Sequence, residues 1–356
     1  MSTDRDDFLA TVEHRRPGRI LYHAGFTPDL QRRVIDHIGT EDIAGYYGFF
    51  QRAGLGPQRP DDVEPIDYSG YYEDEDLPED TRFNSVGAAQ IPSGFYHFFG
   101  YVSPLRNAES LEEIENYPLP DFTEYDTSHY EETVQAAREE GRVVVGHVGH
   151  MYEWAWQIRG YEPFLMDMVQ RPEWAKCLLD KIIEGDRFKA VEAARAGADY
   201  IHCGDDVANQ ESLMFSKPMW KEFMLSRWAG VWEEVKEVNP DCRIWYHSDG
   251  NIEAIVGDLI DAGVDILNPL QPEALDVDAI HDQYGDRVTF DGTIGTQSTM
   301  PHEGPDEVRA RVREVIEKYG RNGGLIVSPT HVLEPEVPLE NIDALFEACR
   351  EYGTFE

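Results

Sequence analysis

The sequence predicts a single α/β domain spanning residues 1–356, a (β/α)₈ TIM barrel with an N-terminal insertion at about 55–105. Two observations lead there. Amphipathic helices that end near a glycine alternate with short, apolar, β-rich runs, and those runs end in side chains able to do chemistry. The alternation implies a parallel sheet, because a parallel strand needs a crossover to return. An open doubly wound sheet would satisfy it equally, but reactive groups at nearly every strand end favour the closed barrel.

Taken in order, RILYHAGF at 19–26 reads as the first strand, followed by the helix TPDLQRRVIDHI. The stretch from about 55 to 105 breaks the rhythm, being rich in Pro, Gly, Asp and aromatic residues, and reads as an insertion carrying a hairpin. The rhythm resumes with VVVGHVGH from 143. EAARAGA then leads into DYIHCGDD, EEVKEVNPDC into RIWYHSDG, and AIVGDLIDAG into VDILNPLQP. AIHDQYGD leads into RVTFDGTIG, and VREVIEKYGRNGG into LIVSPTH.

The formal net charge of −38, from 69 acidic and 31 basic residues, excludes nucleic acid and anionic membranes as expected partners, since phosphate binding needs a basic surface. Uniform acidity with few lysines is the composition of a halophilic protein, whose self-repulsion is screened by salt. No apolar run is long enough to span a membrane and no signal-peptide pattern opens the chain, so a soluble cytoplasmic protein is expected. The four cysteines lack CxxC spacing, which argues against a disulfide framework or a zinc ribbon. Cys203 is expected to be buried and inert in its strand. GxGxxG, GxxxxGK[ST] and GxSxG are all missing, which removes nucleotide-dependent and serine-hydrolase chemistry.

The candidate chemistry sits at strand ends. His247 and Asp249 are two residues apart in HSDG and so face one centre, as two ligands of a metal ion or as a base with its orienting partner; the alternative is a histidine bonded to its own turn. Asp205 and Asp206 in HCGDD are adjacent carboxylates after a buried strand, costly unless paired with donors, a metal or a cationic substrate. His331 lies in a loop stiffened by Pro329 and Pro335, as a third ligand or a proton carrier. His23, His147, His150, Asn268, Gln271, Asp291, Thr293 and Ser328 also end strands. Tyr152, Trp154, Trp156 and Arg159 either wall a small-molecule pocket or pack a helix against the barrel.

HSDGNI, DAGVDILNPLQP, the DGTIG turn, SPTHVLEPEVPLENI and GDDVANQESLMFSKPMW together resemble the uroporphyrinogen decarboxylase-like superfamily, which includes cobalamin- and coenzyme M-dependent methyltransferases. The resemblance covers nearly the whole chain and implies a barrel with its site at the C-terminal face. Decarboxylases of that group bind porphyrinogen carboxylates with arginines in a first-strand motif similar to MRQAGRY; here LYHAGFT puts Tyr22 and Phe26 in those places. The methyltransferase branch binds zinc through His-x-Cys and a late Cys. By that resemblance His247 matches the His, Asp249 the first Cys, and His331 is the nearest late ligand, a set compatible with zinc, manganese or iron.

The resulting expectation is a metal-dependent methyltransferase-like enzyme acting on a small molecule. Its metal would be held by His247, Asp249 and His331, with Asp205 or Asp206 as ligand or base. His23, His147, Tyr152, Gln210 and Asn268 would line the substrate pocket, and a corrinoid protein would supply the methyl group. The alternatives are a decarboxylase or other lyase, in which His331 and an aspartate move protons, and a non-catalytic corrinoid- or substrate-binding partner.

Overall fold

A computed structural model describes residues 2–92 and 99–355. Eight parallel strands form one sheet: β1 (Leu21–Tyr22), β2 (Arg52–Leu55), β6 (Val143–His150), β7 (Tyr200–Gly204), β8 (Arg243–His247), β9 (Ile266–Asn268), β10 (Thr289–Ile294) and β11 (Leu325–Pro329). Their order is β1-β11-β10-β9-β8-β7-β6-β2. The sheet curls into the predicted (β/α)₈ barrel, and helices cover its outer face. At the seam, the Phe50 N–H donates to the Tyr22 carbonyl at 3.3 Å and bridges the β1 and β2 edges.

One barrel strand escapes the sequence periodicity. β2 is only RAGL, and it is a strand because each of its residues pairs with β6, from Arg52 opposite Val143 to Leu55 opposite Gly146. Downstream of it the chain forms an antiparallel three-stranded sheet of β3 (Arg82–Phe83), β4 (Ala89–Pro92) and β5 (Phe99–Val102).

Local sequence explains the helices that brace the barrel. The long helix Pro172–Ala196 starts on a proline, whose missing N–H has no partner to lose at a first turn, and stops at Gly197, whose φ of 103° favours a residue without a Cβ. Its buried face carries Leu178, Leu179, Ile182 and Ile183 at helical spacing. Inside the barrel, Val143, Val145, Tyr200, Trp245, Ile266 and Ile326 form an apolar layer. Helix Asp4–Val12 packs Phe8 and Val12 against that layer from below, with the Phe8 and Tyr200 rings 5.3 Å apart. The C-terminal end of the barrel is left as the polar one. No helix among the described residues is long and apolar enough to cross a membrane.

Candidate metal and substrate site

Strand alternation sends every second side chain inward. On β8 these are Trp245 and then His247, whose rings stack at 10° with centroids 6.0 Å apart. His247 ends the strand at the barrel mouth and is oriented by Asn268, at the end of neighbouring β9. The Asn268 Nδ2 donates to the Asp291 carbonyl at 3.3 Å, so its Oδ1 is the atom that faces His247 Nδ1 at 2.7 Å. An amide oxygen only accepts, so Nδ1 carries the proton and Nε2 presents its lone pair outward.

That lone pair faces two carboxylates. Nε2 lies 3.5 Å from Asp206 Oδ1 and 3.8 Å from Asp249 Oδ1. One ligand atom from each of Asp206, His247 and Asp249 falls within 4.8 Å of the others, a spacing that admits a shared cation. His331 brings its Nε2 to 3.9 Å from Asp249 Oδ2. The backbone ties the loops together: Asp249 N–H donates to Asp206 Oδ1 at 3.0 Å. Burial pushes the Asp249 carboxyl above its ordinary range; His247 opposes the rise and Asp206 adds to it. A bound cation is what would relieve this repulsion.

Glu153, which sequence reasoning missed, supports the cluster. Its Oε1 accepts the Asp206 N–H at 2.8 Å and lies 2.8 Å from His150 Nδ1. Burial first, and then the Asp206 charge, raise its carboxyl to about 8. Only the His-x-x-Glu spacing at the start of helix Met151–Arg159 hinted at the pairing, because the contact to Asp206 is long-range.

The adjacent aspartates separate. Asp206 faces the cluster, whereas Asp205 is wholly buried on the other side, accepting from Tyr152 N–H at 2.7 Å and Trp228 Nε1 at 2.6 Å. Its carboxylate therefore holds two structural donors and does not share the mouth with His247. Tyr152, expected in the pocket wall, is buried among Phe164 and Phe215. Gln210 is exposed on the loop after β7. The structure brings neither into the cluster.

His23 and His147 line the barrel more deeply. His23 Nε2 sits 3.2 and 3.3 Å from the two oxygens of Asp291, which also accepts from Trp245 Nε1 and Ser328 Oγ, each at 2.8 Å. Burial works to raise the Asp291 carboxyl, but His23 and these donors outweigh it, and the net direction is down. His147 Nδ1 is 3.3 Å from His202 Nδ1.

Comparison with known proteins adds the family context. A family model described as Uroporphyrinogen decarboxylase (URO-D) matches residues 102–352. Methylcobamide:CoM methyltransferase MtaA of Methanosarcina barkeri is 27% identical over 190 residues, 53% of this chain and 52% of that one. A uroporphyrinogen decarboxylase of Chlorobium limicola is 25% identical over 187 residues, 52% of this chain and 51% of its own. The chain thus spans about half the length of these curated relatives. A solved structure, a methyltransferase from Methanosarcina mazei, superposes with a TM-score of 0.66 at 18% identity, covering 99% of each chain, a likeness in fold.

Proposed function

Because this chain belongs to the uroporphyrinogen decarboxylase family, we propose that its barrel mouth carries out metal-dependent methyl transfer to a small molecule. The observation that carries the reading is the convergence of Asp206, His247 and Asp249 within 4.8 Å. One imidazole and two carboxylates suit zinc, manganese or iron, and a cation offsets the repulsion of the paired acids. Bound there, such an ion supplies Lewis acidity that lowers the pKa of a methyl acceptor.

The chain's own residues do the rest. Asn268 fixes the His247 tautomer and ring orientation, as an outer partner of a ligating histidine does. Glu153 holds the Asp206 backbone, and with it the loop that aims the Asp206 carboxylate. His331, beside Asp249, is placed to take the proton that the acceptor loses. Asp205 is left to brace the fold. The name of the Methanosarcina barkeri relative supports a corrinoid as the source of the methyl group, supplied here by a partner protein.

Decarboxylation of a polycarboxylated substrate fits the first strand poorly. Tyr22 is buried with its hydroxyl donating to the Tyr47 carbonyl at 2.9 Å, and Phe26 is half-buried. Neither supplies a cation. The test is elemental analysis of protein purified in high potassium chloride, paired with transfer from methylcobalamin to small thiols. Near-stoichiometric metal that His247→Ala loses, together with metal-dependent turnover, supports the reading. A wild-type protein that is empty and refuses added metal refutes it.

A further inference from the structure

A second polar surface lies inside the barrel, away from the Asp206–His247–Asp249 cluster. Along β2, Ala53 and Leu55 are buried while Arg52 and Gly54 are exposed. Helix 4–12 seals the barrel from below, so this exposure opens into the lumen. Gly54 looks onto His147: a Cβ built there would stand 3.4 Å from the imidazole Cδ2. His147 is also exposed and meets His202, whose ring centroid is 3.9 Å from that of Trp245. Trp245 in turn stacks on His247. A continuous wall therefore runs from Arg52 up to the metal-ligating cluster.

Arg52 is held in this lumen without an anionic partner. Its Cζ lies 5.0 Å from the Phe50 ring centroid, a cation–π contact. Among the described residues no carboxylate comes within 4.0 Å of its guanidinium. The charge of buried Asp291 reaches Arg52, but its oxygens are engaged by His23, Trp245 and Ser328. Burial opposes the charge of Arg52, but Tyr200 and Asp291 outweigh it, so the side chain stays cationic. His147 is held below its ordinary value by burial and then by Arg52, and is a neutral neighbour at pH 7. In a chain with 69 acidic residues against 31 basic ones, an arginine inside the barrel that meets the Tyr200 hydroxyl but no carboxylate in ion-pair contact is a feature that an anionic ligand would complete.

We propose that the lumen is a subsite for one small oxyanion, a carboxylate above all, bound by Arg52 with His147 beside it. A planar guanidinium matches a carboxylate in a two-pronged contact, and one cation takes one anionic group. The substrate is then a small monoanion whose charged end sits at Arg52 and whose reacting end lies toward His247. The position of the reacting end rests on the methyl-transfer reading, whereas the anion site stands without it.

The experiment is calorimetric titration of chelator-treated protein, in acetate-free buffer, with linear monocarboxylates from acetate to hexanoate and with their primary amides. At least one carboxylate binds the wild type, at least tenfold more tightly than its amide. Arg52→Gln loses this binding by tenfold or more, and Arg52→Lys retains part of it. Should Arg52→Gln fail to fold, Gly54→Leu fills the lumen from the neighbouring position and abolishes the same binding. Silent titrations of the wild type, equal affinity for acid and amide, or full binding by Arg52→Gln would each overturn the proposal. Because the titrations are run without metal, their failure leaves the metal and methyl-transfer tests standing, and the reverse also holds.

Discussion

Asn268 donates from Nδ2 to the Asp291 carbonyl and, with its other amide atom, accepts from His247 Nδ1 at 2.7 Å, so a neutral side chain sets which nitrogen of the histidine meets the acids. Asn268→Ala removes that control while leaving Asp206, His247 and Asp249 in place. Its metal affinity is expected to fall by about 10- to 100-fold, the usual cost of losing an outer partner. Competition with a chromophoric chelator measures this, and an unchanged affinity would remove Asn268 from the proposed role.

Asp205 and Asp206 provide a paired contrast. Asp205→Ala strands two buried donors, the Tyr152 N–H and the Trp228 indole N–H, and should lose about 3 kcal/mol of stability. Asp206→Ala should cost little stability but abolish metal retention. Denaturant titration and metal analysis of both variants read the two effects separately. Metal loss from a stably folded Asp205→Ala would return that residue to the site.

His202 predicts a direction for stability with pH. Burial first, and then the neighbouring His147, hold its imidazole well below the ordinary value of 6.5. In the unfolded chain it takes up a proton near pH 6.5, while in the folded chain it does not, so the unfolded state binds more protons as pH falls. The folded protein should therefore lose stability from about pH 6.5 downward to the depressed folded value, by at most about 1.4 kcal/mol per pH unit from this residue. Urea melts of wild type and His202→Gln between pH 7.5 and 5.5 test it. The variant should show the shallower slope, and parallel slopes would contradict the assignment.

The net charge of −38 predicts a salt response. Raising potassium chloride from 0.1 to 1 M shortens the screening length from about 10 to about 3 Å and suppresses acid–acid repulsion over the surface. Thermal melting should shift upward by several degrees, with potassium chloride and sodium chloride nearly equivalent. A flat response would show that the acidic groups are locally compensated, as the many arginine–glutamate pairs on the helices would permit.

The barrel and much of its mouth were legible because side-chain alternation in a strand is a local rule. His247 and Asp249, two apart at a strand end, read as facing one centre, whereas Asp205 and Asp206 stayed undistinguished because both follow the end of their strand. What escaped depends on contacts across the sequence. β2 has too few residues to show a pattern and is a strand by virtue of its pairing with β6. Glu153 reaches Asp206 from 53 residues away, and Arg52 faces the barrel interior only because β2 pairs with β6. The burial of Asp205 and Tyr152 was equally hidden, since a carboxylate and a phenol after a strand read as chemistry until Trp228, Phe164 and Phe215 are seen around them.

The bridge between Phe50 and Tyr22 makes the cylinder unequal around its circumference. Elsewhere neighbouring strands are laced by ladders, but here the two edges are fastened at a narrow point, and Phe50 also carries the ring under Arg52 and touches the His23 ring at 5.7 Å. Local opening concentrates where few backbone bonds must break. Closure at this seam rests on buried side chains more than on a ladder, with Tyr22 packed on Phe49 and Phe346 and Phe50 set in the apolar layer, so the rings that close the cylinder also floor the space in front of Arg52.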